Sequence, residues 1–423
     1  MSLVKSILNV LSNRILGNLA GVLILPILLL KLSVEEIGAL GLLTITPQIL
    51  SIGMLGITKA IPRFFSDKSD GIDIQYYNGL WGILLVINTI IIYFSCESIW
   101  LFVFNQNLDE YAIYLVFFFV NLEIDNYLQE WHITLNKTPF LRNVKLIQIL
   151  TSLLLTYYLL VIKDLGIDGR LLALLIPGLV IGLFVLLRLR FYRVSFNWVM
   201  WWKYISYSKS LALSSLGTVV LTYMDRIMII KLLPDGTATY GVGLYEIANK
   251  IANVLKSLVN SIGRVFQVRY NEIFAVNYRL ADRYASMIMR LFIRRMTGLI
   301  IVFNLCALIG LLLLGKFNQI YLYILPILTL GYWVRLNYIG YIIKLSRIGL
   351  ENKLFHGTLY SGSLNVLLNL VLIPNYGIFA AAVTTLISHI FLFIYFNKKI
   401  YGKFTMSNLR KWYVLILGFS FFG

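Results

Sequence analysis

Apolar runs long enough to cross a bilayer recur along the whole chain, and no other property narrows its fold as far. A hydrocarbon core about 30 Å thick takes about 20 helical residues to cross. The first such run lies in MSLVKSILNVLSNRILGNLAGVLILPILLLKL. Hydropathy and breakers place spans near 10–31, 37–58, 78–103, 111–134, 144–162, 169–188, 210–233, 240–262, 291–315, 319–343, 355–373 and 377–397. The expected fold class is an all-α polytopic membrane protein of twelve transmembrane helices. A β-barrel is excluded, because its spans would be short and alternating. Composition agrees: 59% of the 423 residues are hydrophobic and 13% charged, too little polar surface for a soluble chain of this length. The first run lacks a small-residue cleavage site and reads as a span rather than a removed signal. The tail WYVLILGFSFFG is shorter than the roughly 17 residues a span needs, so it reads as an interfacial stub or the start of a thirteenth helix.

A net charge of +18 would point to nucleic acid in a soluble protein. Here the basic residues fall in every second loop. Lys59, Arg63 and Lys68 follow the second span, and Lys137, Arg142 and Lys145 the fourth. Arg188, Arg190, Arg193 and Lys203 follow the sixth, and an arginine series from Arg264 to Arg295 the eighth. Arg347 and Lys353 follow the tenth, and Lys398, Lys399, Lys403, Arg410 and Lys411 the twelfth. Alternate loops such as ESIWLFVFNQNLDEY and IPNYG carry no Lys or Arg. The positive-inside rule puts both termini in the cytoplasm, and no nucleic-acid partner is expected. The two longest cytoplasmic segments are aromatic and basic, which suits amphipathic stretches on an anionic leaflet. Cys96 and Cys306 are isolated, and His132, His356 and His389 are scattered. Neither a disulfide framework nor a metal site is expected. There is no GxxxxGK[ST] phosphate loop, so neither a cofactor nor ATP hydrolysis is expected.

The chain reads as a duplication. Gly166-Ile167, opening the sixth span, matches Gly377-Ile378, opening the twelfth, and each precedes a small-residue or apolar run. EEIGALGLLTITPQIL resembles TYGVGLYEIANKIANVL, and the two pairings share an offset of just over two hundred residues. Two six-helix lobes follow, residues 1–193 and 210–400, with a cytoplasmic linker at 194–209 and a tail at 401–423. Both copies begin on the same side, so they are parallel repeats around a central cavity, the arrangement that places a substrate path between lobes.

Polar stripes mark the spans that would face that cavity. On the eighth, Glu246, Asn249, Lys250, Asn253, Lys256, Asn260 and Arg264 recur at spacings of three and four, so they share one face. A charged stripe of this length cannot face lipid tails. Glu246 and Lys250 also stand in the favourable order for a stapling ion pair, whereas nothing on the same helix neutralises the cations beyond them. The seventh span carries Ser215, Thr218 and Thr222 and then Asp225-Arg226. Either charge costs roughly 2.5–3.5 kcal/mol to place mid-bilayer. The two side chains point about 100° apart, so one is expected to face the cavity while the other pairs with a neighbouring helix. The first span adds Asn9, Asn13, Arg14 and Asn18, the fourth Glu123, Asn126 and Glu130, and the tenth Arg335, Asn337 and Tyr338. Single Asn and Ser residues at such places also serve as interhelical glue. Pro26, Pro47, Pro177 and Pro326 interrupt spans and favour kinks.

A cationic interior with few carboxylates fits a transporter of a lipid-linked, phosphorylated sugar. A cation or drug exporter fits less well, because Arg14, Lys250, Lys256 and Arg335 would oppose its cargo. A membrane-embedded polysaccharide polymerase would need a substantial extramembrane loop with catalytic carboxylates, which the sequence lacks. LGTVVLTYMDRIMIIKLLPDGTATYGVGLYEIANKIANVL resembles the hairpin of helices seven and eight in polysaccharide transporters. These are the oligosaccharide-flippase branch of the multidrug/oligosaccharidyl-lipid/polysaccharide exporter superfamily. SLNVLLNLVLIPNYGIFAAAVTTLIS is similar to that family's second landmark, and EEIGALGLLTITPQIL to its counterpart in the first half. Phe379-Ala380 departs from the pattern, where a second Gly is usual, as in Asp168-Gly169.

The resemblance implies an O-antigen or capsule-type flippase of the bacterial inner membrane, not an enzyme, that moves an undecaprenyl-diphosphate-linked oligosaccharide outward by alternating access. The diphosphate would sit near Lys250, Lys256 and Arg14 or Arg335, with sugars against Asn249, Asn253 and nearby aromatics. Asp225, Glu246 or Glu123 would bind a coupling proton or sodium ion. Membrane lipids, a polysaccharide polymerase and chain-length machinery are the implied partners.

Overall fold

A computed structural model describes residues 21, 24–61, 64, 73–104, 111–134, 138–188, 194–234, 236–348 and 350–401. Asn9, Asn13, Arg14, Asn18 and the C-terminal tail lie outside the described residues. The described residues fold as helices joined by short turns, with no strand among them. In chain order these are α1 (24–31), α2 (Val34–Leu50), α3 (Asp73–Phe104) and α4 (Ala112–Thr134). Then come α5 (Thr138–Thr156), α6 (Gly166–Arg188), α7 (Trp198–Leu232) and α8 (Ala238–Val276). α9 (Tyr278–Leu313) and α10 (Tyr321–Arg347) precede a final segment, Glu351–Tyr401, that breaks at Gly377 into arms α11 (351–376) and α12 (378–401).

Stretches of α2, α3, α5, α6, α9 and the α11–α12 segment are long and apolar enough to cross a membrane. The other fully described helices are the ones that carry the polar stripes: α4 with Glu123, Asp125 and Glu130, α7 with Asp225-Arg226, α8, and α10 with Arg335 and Lys344. Their charges, rather than their lengths, set them apart.

The repeat read from the sequence has a structural counterpart. Gly166 and Gly377 both adopt left-handed backbone, with φ of 57° and 60°. Each is followed by a buried isoleucine, Ile167 and Ile378. A side chain in that conformation costs roughly 1–2 kcal/mol, so glycine recurs where each lobe turns from its fifth helix into its sixth. The turn before Gly166 is a π-helical stretch, Tyr157–Ile162. Opposite it, Lys31 of α1 pairs with Asp164 at 2.9 Å. Exposure keeps that ion pair weak.

α2 starts from a capping box: the Ser33 hydroxyl accepts from the Glu36 backbone N–H at 3.1 Å, and Glu36 Oε2 accepts from the Ser33 N–H at 2.7 Å. This fixes the direction in which α2 leaves the turn. Pro47 sits inside α2, which gives way to two short 3-10 turns, Ser51–Met54 and Ile57–Ala60.

Two segments expected as loops are helical. Within 194–209, Asn197 caps α7 by accepting from the Met200 N–H at 3.2 Å, so α7 begins at Trp198, well before the expected 210. Its start is fastened to α3: the Trp201 indole N–H donates to the Tyr76 carbonyl at 2.8 Å, and the Ser195 N–H to that of Gln75 at 3.1 Å. At about 1.5 Å per residue, the 35 residues of α7 extend about 52 Å, longer than a span. Likewise α8 runs to Val276 and α9 begins at Tyr278, with Asn277 as the turn. Asn277 Oδ1 accepts from the N–H groups of Arg279 and Leu280. Phe266, Tyr270, Ala281 and Ile343 form a small core there. Asp282 accepts from Tyr270 at 3.1 Å and from Lys344 at 2.6 Å beside it.

The lobes meet where α2 crosses α8. A Cβ on Gly38 would lie 2.7 Å from the Thr239 carbonyl oxygen and 2.8 Å from the Gly243 nitrogen. One on Gly243 would overlap the Val34 carbonyl. Only glycine lets the two backbones touch. The register advances in step on both helices, from Gly38 against Thr239 and Gly243 to Gly41 against Glu246. The second helices of the two lobes therefore run parallel, as repeats starting on one side must.

Candidate functional site

The polar face of α8 changes character along its length. Near the crossing, Glu246 and Asn249 are buried, each 5% exposed. Beyond them Lys250, Asn253, Lys256 and Asn260 are partly exposed. In the first part Glu246 lies against Gly41 of α2.

The buried part holds the ionic residues of α7, where the structure corrects the expectation that one of Asp225 and Arg226 faces an open cavity. They are 2% and 4% exposed. Asp225 accepts from Tyr245 Oη at 2.8 Å, Asn369 Nδ2 at 2.8 Å and Thr385 Oγ1 at 2.6 Å. These donors come from α8, α11 and α12. Arg226 Nε donates to Glu246 Oε2 at 3.0 Å, and its Nη1 to the Thr222 carbonyl at 2.5 Å. The Tyr245 ring lies 5.7 Å from the guanidinium. Stripping water from both charges is costly enough that each must collect protein partners. The Ser215 and Thr218 side chains lie outside the described residues.

The partly exposed part is cationic and lined with amides. Lys250 Nζ stands 4.0 Å from Glu246 Oε1, a loose pair. Tyr332 of α10 points its hydroxyl between Asn249 Oδ1 and Asn253 Oδ1, 3.3 Å from each. Lys256 Nζ lies 5.9 Å from the Tyr332 ring centroid. One turn along α10 from Tyr332 stands Arg335, and beyond it the Tyr338 hydroxyl meets His389 Nδ1 at 2.9 Å. Arg335 Nε is buried and finds no partner among the described residues. An unpaired buried donor costs about 1–3 kcal/mol, which an anionic oxygen would relieve. The structure thus brings Lys250, Lys256, Asn249, Asn253 and Arg335 onto two facing helices. Arg14 lies outside the described residues.

Glu123 belongs elsewhere. Buried in the first lobe, it accepts from Ser51 Oγ at 2.6 Å and Asn126 Nδ2 at 3.4 Å. Nearby, past the helical part of the second span, burial lowers the Lys59 pKa from its usual value, against the opposing fields of Glu130 and Glu123. A separate small cleft between α4, α5 and α6 contains the Lys145–Asp125 ion pair and is otherwise mostly apolar.

Several site residues escaped the sequence reading. Asn369 and Thr385 donate to Asp225, and Asn365 and Thr384 hydrogen-bond Asn369 in turn. Their only signal was an i,i+4 pair of Asn on an apolar helix. Arg170, 7% exposed, donates to Thr156 Oγ1 at 2.5 Å, and its Nε has no partner among the described residues. It sits four residues past Gly166, at a position hydropathy treats as a helix end. His389, buried against Gly331, was set aside as one of three scattered histidines.

The family model described as "Polysaccharide biosynthesis protein" matches residues 3–266. An uncharacterized membrane protein of Methanocaldococcus jannaschii is 29% identical over 231 residues, which is 50% of this chain and 42% of that protein. The match thus spans under half the length of this curated relative. The lipid II flippase MurJ in an inward closed conformation superposes with a TM-score of 0.68 at 17% identity, covering 98% of this chain and 92% of that one. An inward-facing multidrug resistance MATE transporter of the MOP superfamily gives 0.61 at 16%, covering 97% and 96%. A MOP-superfamily transporter from Pyrococcus furiosus, described as having a binding pocket of reverse polarity, gives 0.62 at 14%, covering 94% and 95%. At these identities the likeness is one of fold. The chain is a multi-pass membrane protein of the polysaccharide biosynthesis protein family, with the two-lobed helical fold of the MOP-superfamily transporters.

Proposed function

We propose that the protein is a flippase for a diphosphate-linked oligosaccharide on an undecaprenyl carrier. It moves the repeat unit across the bacterial inner membrane by alternating access, with both termini cytoplasmic. The observation that carries this reading is the partly exposed Lys250–Asn253–Lys256 face of α8 opposite Tyr332 and Arg335 of α10. Lysines hold phosphate as point charges, and an arginine adds a directed fork. Asn249, Asn253 and Tyr332 supply the amides and aromatic face that sugar hydroxyls and rings take. The family match and the MurJ-like fold support the same substrate class.

Coupling falls to Asp225 rather than Glu246 or Glu123 in this proposal. Asp225 accepts from two hydroxyls and one amide N–H on three helices, so a sodium ion or proton taken up by its carboxylate would act on all three at once. A drug exporter is the second reading, favoured by the MATE-like fold, but its cationic cargo would meet Lys250, Lys256 and Arg335. Deleting the protein in its host tests the function. Lipid-linked repeat units should accumulate on the inner leaflet, and complementation should clear them. Normal surface polysaccharide in the deletion strain would contradict the assignment.

A further inference from the structure

Glu246 occupies a place in this site that neither sugar binding nor ion coupling uses. Its carboxylate holds Arg226 tightly, at 3.0 Å, and Lys250 loosely, at 4.0 Å. Asp225, the other acid of the cluster, is turned toward Tyr245, Asn369 and Thr385. Glu246 is thus the acid that faces the cations. The stem of Glu246 also meets the opposite lobe: a Cβ on Gly41 of α2 would lie 2.8 Å from Glu246 Cγ and 3.1 Å from its Cδ. One side chain therefore neutralises the cations of the second lobe and seats the first lobe against it.

We propose that Glu246 is an internal stand-in for the substrate's anion and that a bound diphosphate displaces it. The inference rests on the cationic site proposed above and assigns it a regulator. In the empty protein the carboxylate satisfies Arg226 and part of the Lys250 charge, which keeps the α2–α8 crossing seated. A diphosphate presents more oxygens and more charge than one carboxylate, so it outcompetes the loose contact to Lys250 first. Arg226 then follows the phosphate. Released from both cations, the Glu246 side chain leaves its seat against Gly41, and the glycine crossing loses the contact beneath it. Headgroup binding on the second lobe is thereby transmitted to the boundary between lobes through one residue. The same logic makes the empty carrier hold its crossing shut.

The test measures binding of farnesyl diphosphate, and of inorganic pyrophosphate as the bare headgroup, to the purified full chain in detergent. Glu246→Gln keeps the shape and removes the competing charge, so affinity should tighten by about tenfold, equal to about 1.4 kcal/mol. Lys256→Gln reports on the cationic site independently and should weaken binding. Unchanged or weaker binding in Glu246→Gln, with Lys256→Gln weakened, overturns the stand-in and leaves the site standing. No effect of Lys256→Gln together with Lys250→Gln removes the site itself, and the stand-in with it. A spin-label distance between Lys163→Cys and Asn375→Cys, in a background with both native cysteines replaced, gives a readout that does not depend on how Glu246→Gln folds. Farnesyl diphosphate should lengthen it in the protein with Glu246 intact, and an unchanged distance under saturating probe overturns the link to the crossing.

Discussion

Replacing Gly38 with alanine should push the two lobes apart where α2 crosses α8. The added methyl would stand 2.7 Å from the Thr239 carbonyl oxygen, 2.8 Å from the Gly243 nitrogen and 3.2 Å from the Gly243 Cα. All three are backbone atoms, so no side chain can turn aside. Ordinary contact begins at 3.4 Å, so the helices must separate by about 0.7 Å (3.4 − 2.7) at that point. Overpacking of this kind costs about 1–3 kcal/mol, borne only by the conformer in which the crossing is closed. The ratio of closed to open conformers should therefore fall by about 5- to 150-fold. Spin labels at Lys163→Cys and Asn375→Cys, exposed positions in the matching turns of the two lobes, should show a longer-distance population in Gly38→Ala. Gly38→Leu should enlarge it. A distance distribution identical to that of the parent, in variants that insert normally, would refute the claim that this backbone contact holds the lobes together.

Arg226→Met leaves Glu246 charged and buried against Gly41; it should lower stability by about 3–5 kcal/mol, seen as a fall in detergent melting temperature, whereas Arg226→Met with Glu246→Leu should recover most of the loss. Asp225→Asn should leave headgroup binding near the parent's and abolish the dependence of transport on an ion gradient, read by imposing sodium and proton gradients separately on proteoliposomes. Asn277→Ala removes the cap from two N–H groups of α9 and should cost about 1 kcal/mol, with faster hydrogen exchange confined to the 264–295 hairpin.

The helical segmentation was legible because a span is a long, averaged signal that single residues cannot obscure. Its failures share a cause. The starts of α7 and α9 and the end of α8 lie outside the apolar runs, and they are helical because Asn197 and Asn277 cap them and Trp201, Phe266 and Tyr270 find buried contacts. Hydropathy weights none of these. The duplication was readable because a left-handed glycine leaves the same Gly-Ile signature in both copies. The stripe on α8 was readable from its spacing of three and four, which α8 keeps as one continuous helix with Asn249 and Asn253 both meeting Tyr332. Which part of that stripe is sealed could not be read from α8 itself. Gly38, Gly41 and Gly243 decide it by bringing α2 over Glu246, and glycines are common enough in membrane helices to carry no signal alone. The surroundings of Asp225 were hidden for a related reason: Asn369 and Thr385 lie more than a hundred residues away, and only the packing of α7 against α11 and α12 joins them.

The most direct measurement is the flipping of a fluorescent undecaprenyl-diphosphate oligosaccharide in proteoliposomes, comparing the parent protein with a Lys250→Glu, Lys256→Glu variant. Reversing both charges, four units in all, should reduce the initial rate to that of protein-free vesicles while the variant still inserts and retains the parent's melting temperature to within a few degrees. Flipping at the parent's rate by the doubly reversed protein would contradict a cationic headgroup site on α8.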